Sequence, residues 1–192
     1  MEKFKNKFRI ASTRLPCWDY GWNAAYFVTI CTAHRVFYFG EVMDGFMALS
    51  DIGCLAWKYW NEISAHFPFV QLDAFIVMPN HVHGILVINK TDDAINGNYN
   101  RDSVETGHCP VSTVDDQLFS QKWFRNQGKN TLSSIIGSYK SVVSKHAHKI
   151  DPEFAWQARF YDHIIRDEKS YDTIADYIFD NPRRWHEDKY FA

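Results

Sequence analysis

The sequence predicts an α+β domain with a β-α-β-β-α-β core, an antiparallel sheet with helices packed on one face, and a C-terminal extension. Three observations lead there. Short β-branched and aromatic runs alternate with segments whose apolar residues recur at helical spacing. Two strong strand runs, Val70 to Met78 and Val82 to Ile88, are separated only by the tight Pro79-Asn80 connection. The order of elements is that of the ferredoxin-like arrangement, in which helices cover one face of an antiparallel sheet.

Each element has its own signal. Ala25 to Thr32 (AYFVTICT) reads as a buried strand, and Val36 to Leu49 holds a hairpin around Asp44-Gly45. Ser50 to Phe67 reads as a helix, capped by Ser50 or Asp51 and stopped by Pro68. Its apolar stripe is Ile52, Leu55, Ala56, Tyr59, Trp60 and Ile63. After Ile88 the pattern lapses. Asn89 to Asn130 is polar, with turn-forming breaks, and is read as a mobile insertion at about 90–130. Thr131 to Lys149 is an amphipathic helix with Leu132, Ile135, Ile136, Tyr139, Val142, Val143 and His146 on one stripe. Phe160 to Arg166 is strand-like, and Lys169 to Phe179 is a last helix ended by Asn181-Pro182. The chain thus reads as one domain over 1–192, with the extension at about 156–192.

Composition narrows the function. The chain has 192 residues and is 46% hydrophobic, enough for a core, so wholesale disorder is excluded. Lys and Arg number 21 against 23 acids, so the net charge of −2 shows no strongly basic binder in the total. The balance is uneven along the chain. Gln117 to Ile150 contains no Asp or Glu but holds Lys122, Arg125, Lys129, Lys140, Lys145 and Lys149, a segment suited to phosphate contact. Aromatic residues make up 17% of the chain; most belong in a core, but Trp123, Phe124, Trp156, Phe160, Tyr161 and Trp185 are candidate platforms for unpaired bases. No apolar run is long enough for a membrane span, and the N-terminus lacks a signal-peptide core. Cys17, Cys31, Cys54 and Cys109 are scattered without a C-x-x-C pair, which suits a reducing cytoplasm.

Two motifs carry chemistry. In His81-Val82-His83 the histidines are two apart on a strand, so they share a face and can hold one divalent metal; hydrogen-bonded core histidines are the plain alternative. Tyr139 lies on the apolar stripe of the helix that packs near this strand. A tyrosine there is usually a core residue. Beside a metal it is also a candidate nucleophile for phosphoryl transfer.

These residues resemble the single-tyrosine HUH transposases, in their REP-associated branch. Phe75 to Ile88 (FIVMPNHVHGILVI) resembles the histidine-bearing strand, Ile136 to Lys140 (IGSYK) the tyrosine helix, and Ala25 to Gly40 the first strand. Trp156 to Trp185 (WQARFYDHIIRDEKSYDTIADYIFDNPRRW) resembles the C-terminal signature. The resemblance spans the chain except roughly Thr91 to Gly128. It implies nicking and strand transfer on single-stranded or hairpin DNA, by a monomer or homodimer. His81 and His83 would bind Mg²⁺ or Mn²⁺, and Tyr139 would form a 5′-phosphotyrosine link. Lys140, Lys145, Arg125, Lys129, Arg166 and Trp123 are the candidate DNA contacts. Relatives usually carry a polar third metal ligand one helical turn after the tyrosine. Here that position is Val143, with His146 nearly one turn further along the stripe. This departure sets a rival beside the transposase, a domesticated relative that binds hairpin DNA without cutting it. A metal-dependent hydrolase using only the histidines and water is a second rival.

Overall fold

The structure, a computed structural model, describes residues 3–4, 7–8, 18–91 and 129–191. Four strands form its central sheet. They are β1 (Ala24–Cys31), β4 (Val70–Met78), β5 (His81–Ile88) and β6 (Tyr161–Ile165). Their order is β4-β5-β1-β6, and every pair is antiparallel. A side hairpin, β2 (Gly40–Met43) with β3 (Phe46–Leu49), turns at Asp44-Gly45, both with positive φ. That is the turn whose twist matches paired strands, and glycine accepts it without strain.

The helices form where side chains can close their ends. α1 (Asp51–Asn61) starts at Ser50, whose side chain accepts from the Gly53 N–H, and a short turn, α2 (Ile63–His66), follows it. α3 (Leu132–Ala147) begins in a capping box between Thr131 and Ser134. α4 (Glu168–Asp180) is capped by Asp167. The expected β-α-β-β-α-β order is therefore β1-α1-β4-β5-α3-β6. β6 is the fourth strand of the core sheet, so what extends beyond the core is α4 and the tail after it. The polar insertion lies almost wholly outside the described residues. Among the described residues no helix is long and apolar enough to cross a membrane.

Alternation along the strands gives the sheet two different faces. Tyr26, Val28 and Ile30 of β1 and Val82, Leu86 and Ile88 of β5 join α1 and α3 in the main core. Trp60 of α1 stacks on Phe75 with ring centroids 4.4 Å apart, and Tyr139 of α3 meets Trp60 edge-on at 5.5 Å. The opposite face carries Phe27, Ala74, Ile85 and Ile165, closed by Ile178 of α4. A register shift between Leu72 and Phe75 sends Ala74 to this second face. There the Tyr171 hydroxyl donates to Asp73 and fastens α4 to the strand. The two core helices thus cover one face as expected, and the C-terminal helix takes the other.

Gly84 lies where the Trp60 indole presses on β5, and a Cβ there would overlap the ring. Gly84→Ala is expected to cost about 2 kcal/mol through overpacking, measured as a lower melting temperature in thermal denaturation.

Candidate functional site

The second face of the sheet carries the cluster of polar side chains that forms the candidate site. His81 and His83 are buried on β5, paired in register with Cys31 and Thr29 of β1. Their Nε2 atoms lie 2.9 Å apart. Hydrogen bonds on the far side of each ring constrain their protons. The Asn80 Nδ2 group donates to the Arg35 carbonyl at 3.2 Å and the Tyr190 carbonyl at 2.9 Å. Its Oδ1 is therefore the atom that meets His81 Nδ1, at 2.8 Å, and an oxygen can only accept. So His81 carries its proton on Nδ1 and turns a lone pair towards His83. Thr29 Oγ1 lies 2.9 Å from His83 Nδ1 and, as a hydroxyl, serves either tautomer. The gap between the two Nε2 atoms fits one shared proton, and a cation that took both lone pairs would sit beside that line.

Three groups from the C-terminal region complete the cluster. Tyr177 on α4 places its hydroxyl 3.3 Å from His83 Nε2 and donates to Asp188 Oδ2 at 3.3 Å. Its ring meets that of His83 at 5.3 Å, and the side chain remains 38% exposed. Asn181, one helical turn after Tyr177, donates through Nδ2 to Asp188 Oδ2 at 3.0 Å. Its Oδ1 is buried and has no hydrogen-bond partner among the described residues. His81, His83 and Asp188 offer ligand atoms within 4.8 Å of one another. Two neutral imidazoles, a carboxylate and an amide oxygen without a partner among the described residues are a donor set that suits a divalent cation. A cleft of about 370 Å³, lined in part by Tyr177, Asn181, Arg184 and Asp188, borders the cluster on its C-terminal side.

Burial tunes these groups. It drives His81 down to about 3, with the charges of Arg35 and Lys189 adding to the effect. His83 is also pushed well below the usual imidazole range, by burial first and then by His81. Burial raises the Tyr177 phenol, and the charge of Asp188 adds to the rise.

Tyr139 is not part of this site. It is buried on the other face of the sheet, where its hydroxyl donates to the Ala56 carbonyl at 3.1 Å. Burial alone pushes its phenol far up. The parity of β5 explains the correction: α3 packs on the face of Val82 and Leu86, so no residue of its apolar stripe faces the histidines. Val143 is core on the same stripe, and His146 packs on Tyr59 with centroids 5.2 Å apart. A tyrosine with a polar residue one helical turn later does stand beside the histidines, as Tyr177 and Asn181. The signal was in the stretch YIFDN, where Asn181 reads first as a helix terminator.

The expected DNA contacts scatter. Lys140 Nζ is engaged by the carbonyls of Gln157 and Arg159, at 2.7 and 3.1 Å. Lys145 is exposed on α3, the helix across the sheet from the histidines; Lys129 is exposed before α3, and Arg166 after β6. Arg125 and Trp123 lie outside the described residues. Trp185, offered as a platform, is buried with its ring 5.9 Å from His81. The cations at the site are others: Arg35 sits 5.3 Å over the Tyr190 ring and Lys189 4.9 Å from it.

An unfolded histidine titrates near 6.5, and both site histidines titrate lower when folded. Between those values the unfolded chain binds more protons, so stability falls as the pH falls. Metal-free protein is expected to lose thermal stability below about pH 6.5, and the His83→Gln variant to lose less over the same window. Melting temperatures that do not change with pH in either protein would contradict this reading.

No family model matches the chain. It is 34% identical over 182 residues to an uncharacterized protein of Haemophilus influenzae, covering 94% of this chain and 92% of that one. It is 24% identical over 115 residues to a REP-associated tyrosine transposase of Escherichia coli, covering 60% of this chain and 45% of that one. This chain thus spans less than half the length of the second relative. The solved structure of a REP-associated tyrosine transposase bound to a REP hairpin shares the fold, with a TM-score of 0.56 and 18% identity over 94% of this chain and 77% of that one.

Proposed function

This chain belongs to the REP-associated branch of the tyrosine transposases, and from that premise we propose that it nicks and rejoins single-stranded or hairpin DNA through Tyr177. The observation that carries the proposal is the Tyr177 hydroxyl, 3.3 Å from His83 Nε2, with Asn181 one helical turn behind it.

His81 and His83 would hold a divalent ion, with Asn181 Oδ1 and Asp188 as the further oxygen donors beside them. When bound, the ion supplies a positive charge that polarises the scissile phosphate. Asp188 Oδ2 accepts the proton of the Tyr177 phenol as its oxygen attacks phosphorus. A bond forms between phosphorus and Tyr177, and the bond to the 3′ oxygen breaks. That oxygen leaves as a hydroxyl after taking up a proton. The product is a 5′-phosphotyrosine, and attack by another 3′-hydroxyl reverses the step. The exchange conserves the phosphodiester, so no external energy source is needed. Arg35 and Lys189, beside the histidines, are the phosphate contacts in place of the α3 lysines. The binding-only rival rests on Val143, and with Tyr177 as the nucleophile the residue one helical turn later is the polar Asn181 instead.

End-labelled hairpin oligonucleotides incubated with Mn²⁺ and separated on a denaturing protein gel test the proposal. The wild type is expected to form a covalent adduct and Tyr177→Phe none. Tyr139→Phe is expected to keep the adduct while losing about 1 kcal/mol of stability with its hydrogen bond. An adduct that survives Tyr177→Phe but not Tyr139→Phe would overturn the assignment. Turnover without any adduct, surviving Tyr177→Phe, would indicate the hydrolase.

Metal binding is tested separately by Mn²⁺ titration followed by electron paramagnetic resonance. His81→Ala and His83→Ala are each expected to abolish tight binding, and Asn181→Ala to weaken it about tenfold or more. Unchanged affinity in all three would remove the metal from the site.

A further inference from the structure

We propose that Phe37 and Phe191 form a stacking platform for an unpaired nucleobase next to the scissile phosphate. The inference rests on the DNA-processing reading above and adds a binding subsite to it. Both residues are exposed to nearly half of their surface, Phe37 at 47% and Phe191 at 43%. Both pack edge-on against the buried indole of Trp185, at centroid distances of 5.9 and 5.3 Å. That indole lies 5.9 Å from the His81 ring, so the exposed pair is one aromatic ring away from the metal-holding histidines.

The platform is tied to the site by the backbone as well. The Asn80 amide that orients His81 donates to the carbonyls of Arg35 and Tyr190. Phe37 follows the first by two residues and Phe191 follows the second by one. One buried side chain therefore holds both segments bearing the rings against the segment bearing the histidine.

Charge selects the occupant. The same two segments carry Arg35 and Lys189, and Arg35 donates to the Lys189 carbonyl at 2.8 Å. Cations beside exposed aromatic faces match a single strand, whose phosphates and bases alternate along its length. A paired duplex hides its base faces, so the platform would discriminate for unpaired nucleotides at the foot of a hairpin.

Hairpin oligonucleotides carrying 2-aminopurine at successive positions of the single-stranded foot provide the probe, titrated in EDTA so that no nicking contributes. The wild type is expected to quench the probe at one or two adjacent positions. Phe37→Leu with Phe191→Leu keeps the apolar cover on Trp185 but removes the π faces. That variant is expected to lose the quenching and to bind at least about fivefold more weakly. Its melting temperature and its Mn²⁺ affinity should stay those of the wild type. Wild-type binding with quenching and affinity unchanged in the double variant would overturn the platform and leave the nicking proposal intact. Quenching lost in the variant, with no covalent adduct formed by the wild type, would uphold the platform and sink nicking. Absence of wild-type binding to any oligonucleotide would overturn the platform.

Discussion

The arrangement hangs on one carboxamide. Asn80 is fully buried between two strands, at the turn from β4 into β5. Its two amide hydrogens go to carbonyls from residues far apart in the chain, Arg35 and Tyr190, and its oxygen to His81. Its own carbonyl takes the Thr32 N–H and hydroxyl. A buried amide that spends every donor and its oxygen in this way has no second orientation of equal energy. It fixes the tautomer of His81, the loop after β1 and the tail after α4 together. The preceding Pro79 contributes as well, its carbonyl accepting from the Phe39 N–H.

Around that point the sheet divides its labour between faces. The α1–α3 face is filled by large apolar side chains, among them Trp60, Phe75 and Tyr139, and its interactions serve stability. The α4 face has a smaller apolar cluster, and its remaining area is given to histidines, Thr29, Tyr177 and Asn181. Polar groups are costly to bury unless paired, so this face offers little to the core. What it offers is directed lone pairs. The orphaned Asn181 oxygen fits the same logic, since a buried acceptor without a donor is a destabilising feature until a cation or water meets it.

Much of this was legible in the amino-acid order, and the rest was withheld for physical reasons. The strand and helix runs follow from local periodicity, and so does the ferredoxin-like order, because each element satisfies its own backbone and shows its own apolar stripe. The pairing of His81 with His83 is equally local, a matter of period two along a strand. The face they share is different. β5 is apolar on both sides, so Val82 and Leu86 no more announce α3 than Ile85 and Val87 announce α4. Only the packing of Trp60 over Gly84 shows which side the core helices take. Tyr139 and Tyr177 both lie on amphipathic helices, and the one local difference is the residue a turn later, Val143 after the tyrosine that faces Ala56 and Asn181 after the one that faces His83.

The sequence by itself thus determined the elements, their order, the two histidines as one unit and the motifs that resemble the transposases, since each depends on neighbours in the chain. The tertiary structure alone decided which tyrosine meets the histidines, that Asn181 and Asp188 join them, and that Arg35, Lys189, Phe37 and Phe191 border the site. Those relations join residues as far apart as Asn80 and Tyr190, and at such separations the sheet order and the packing of α4, not chain proximity, set the distance between side chains.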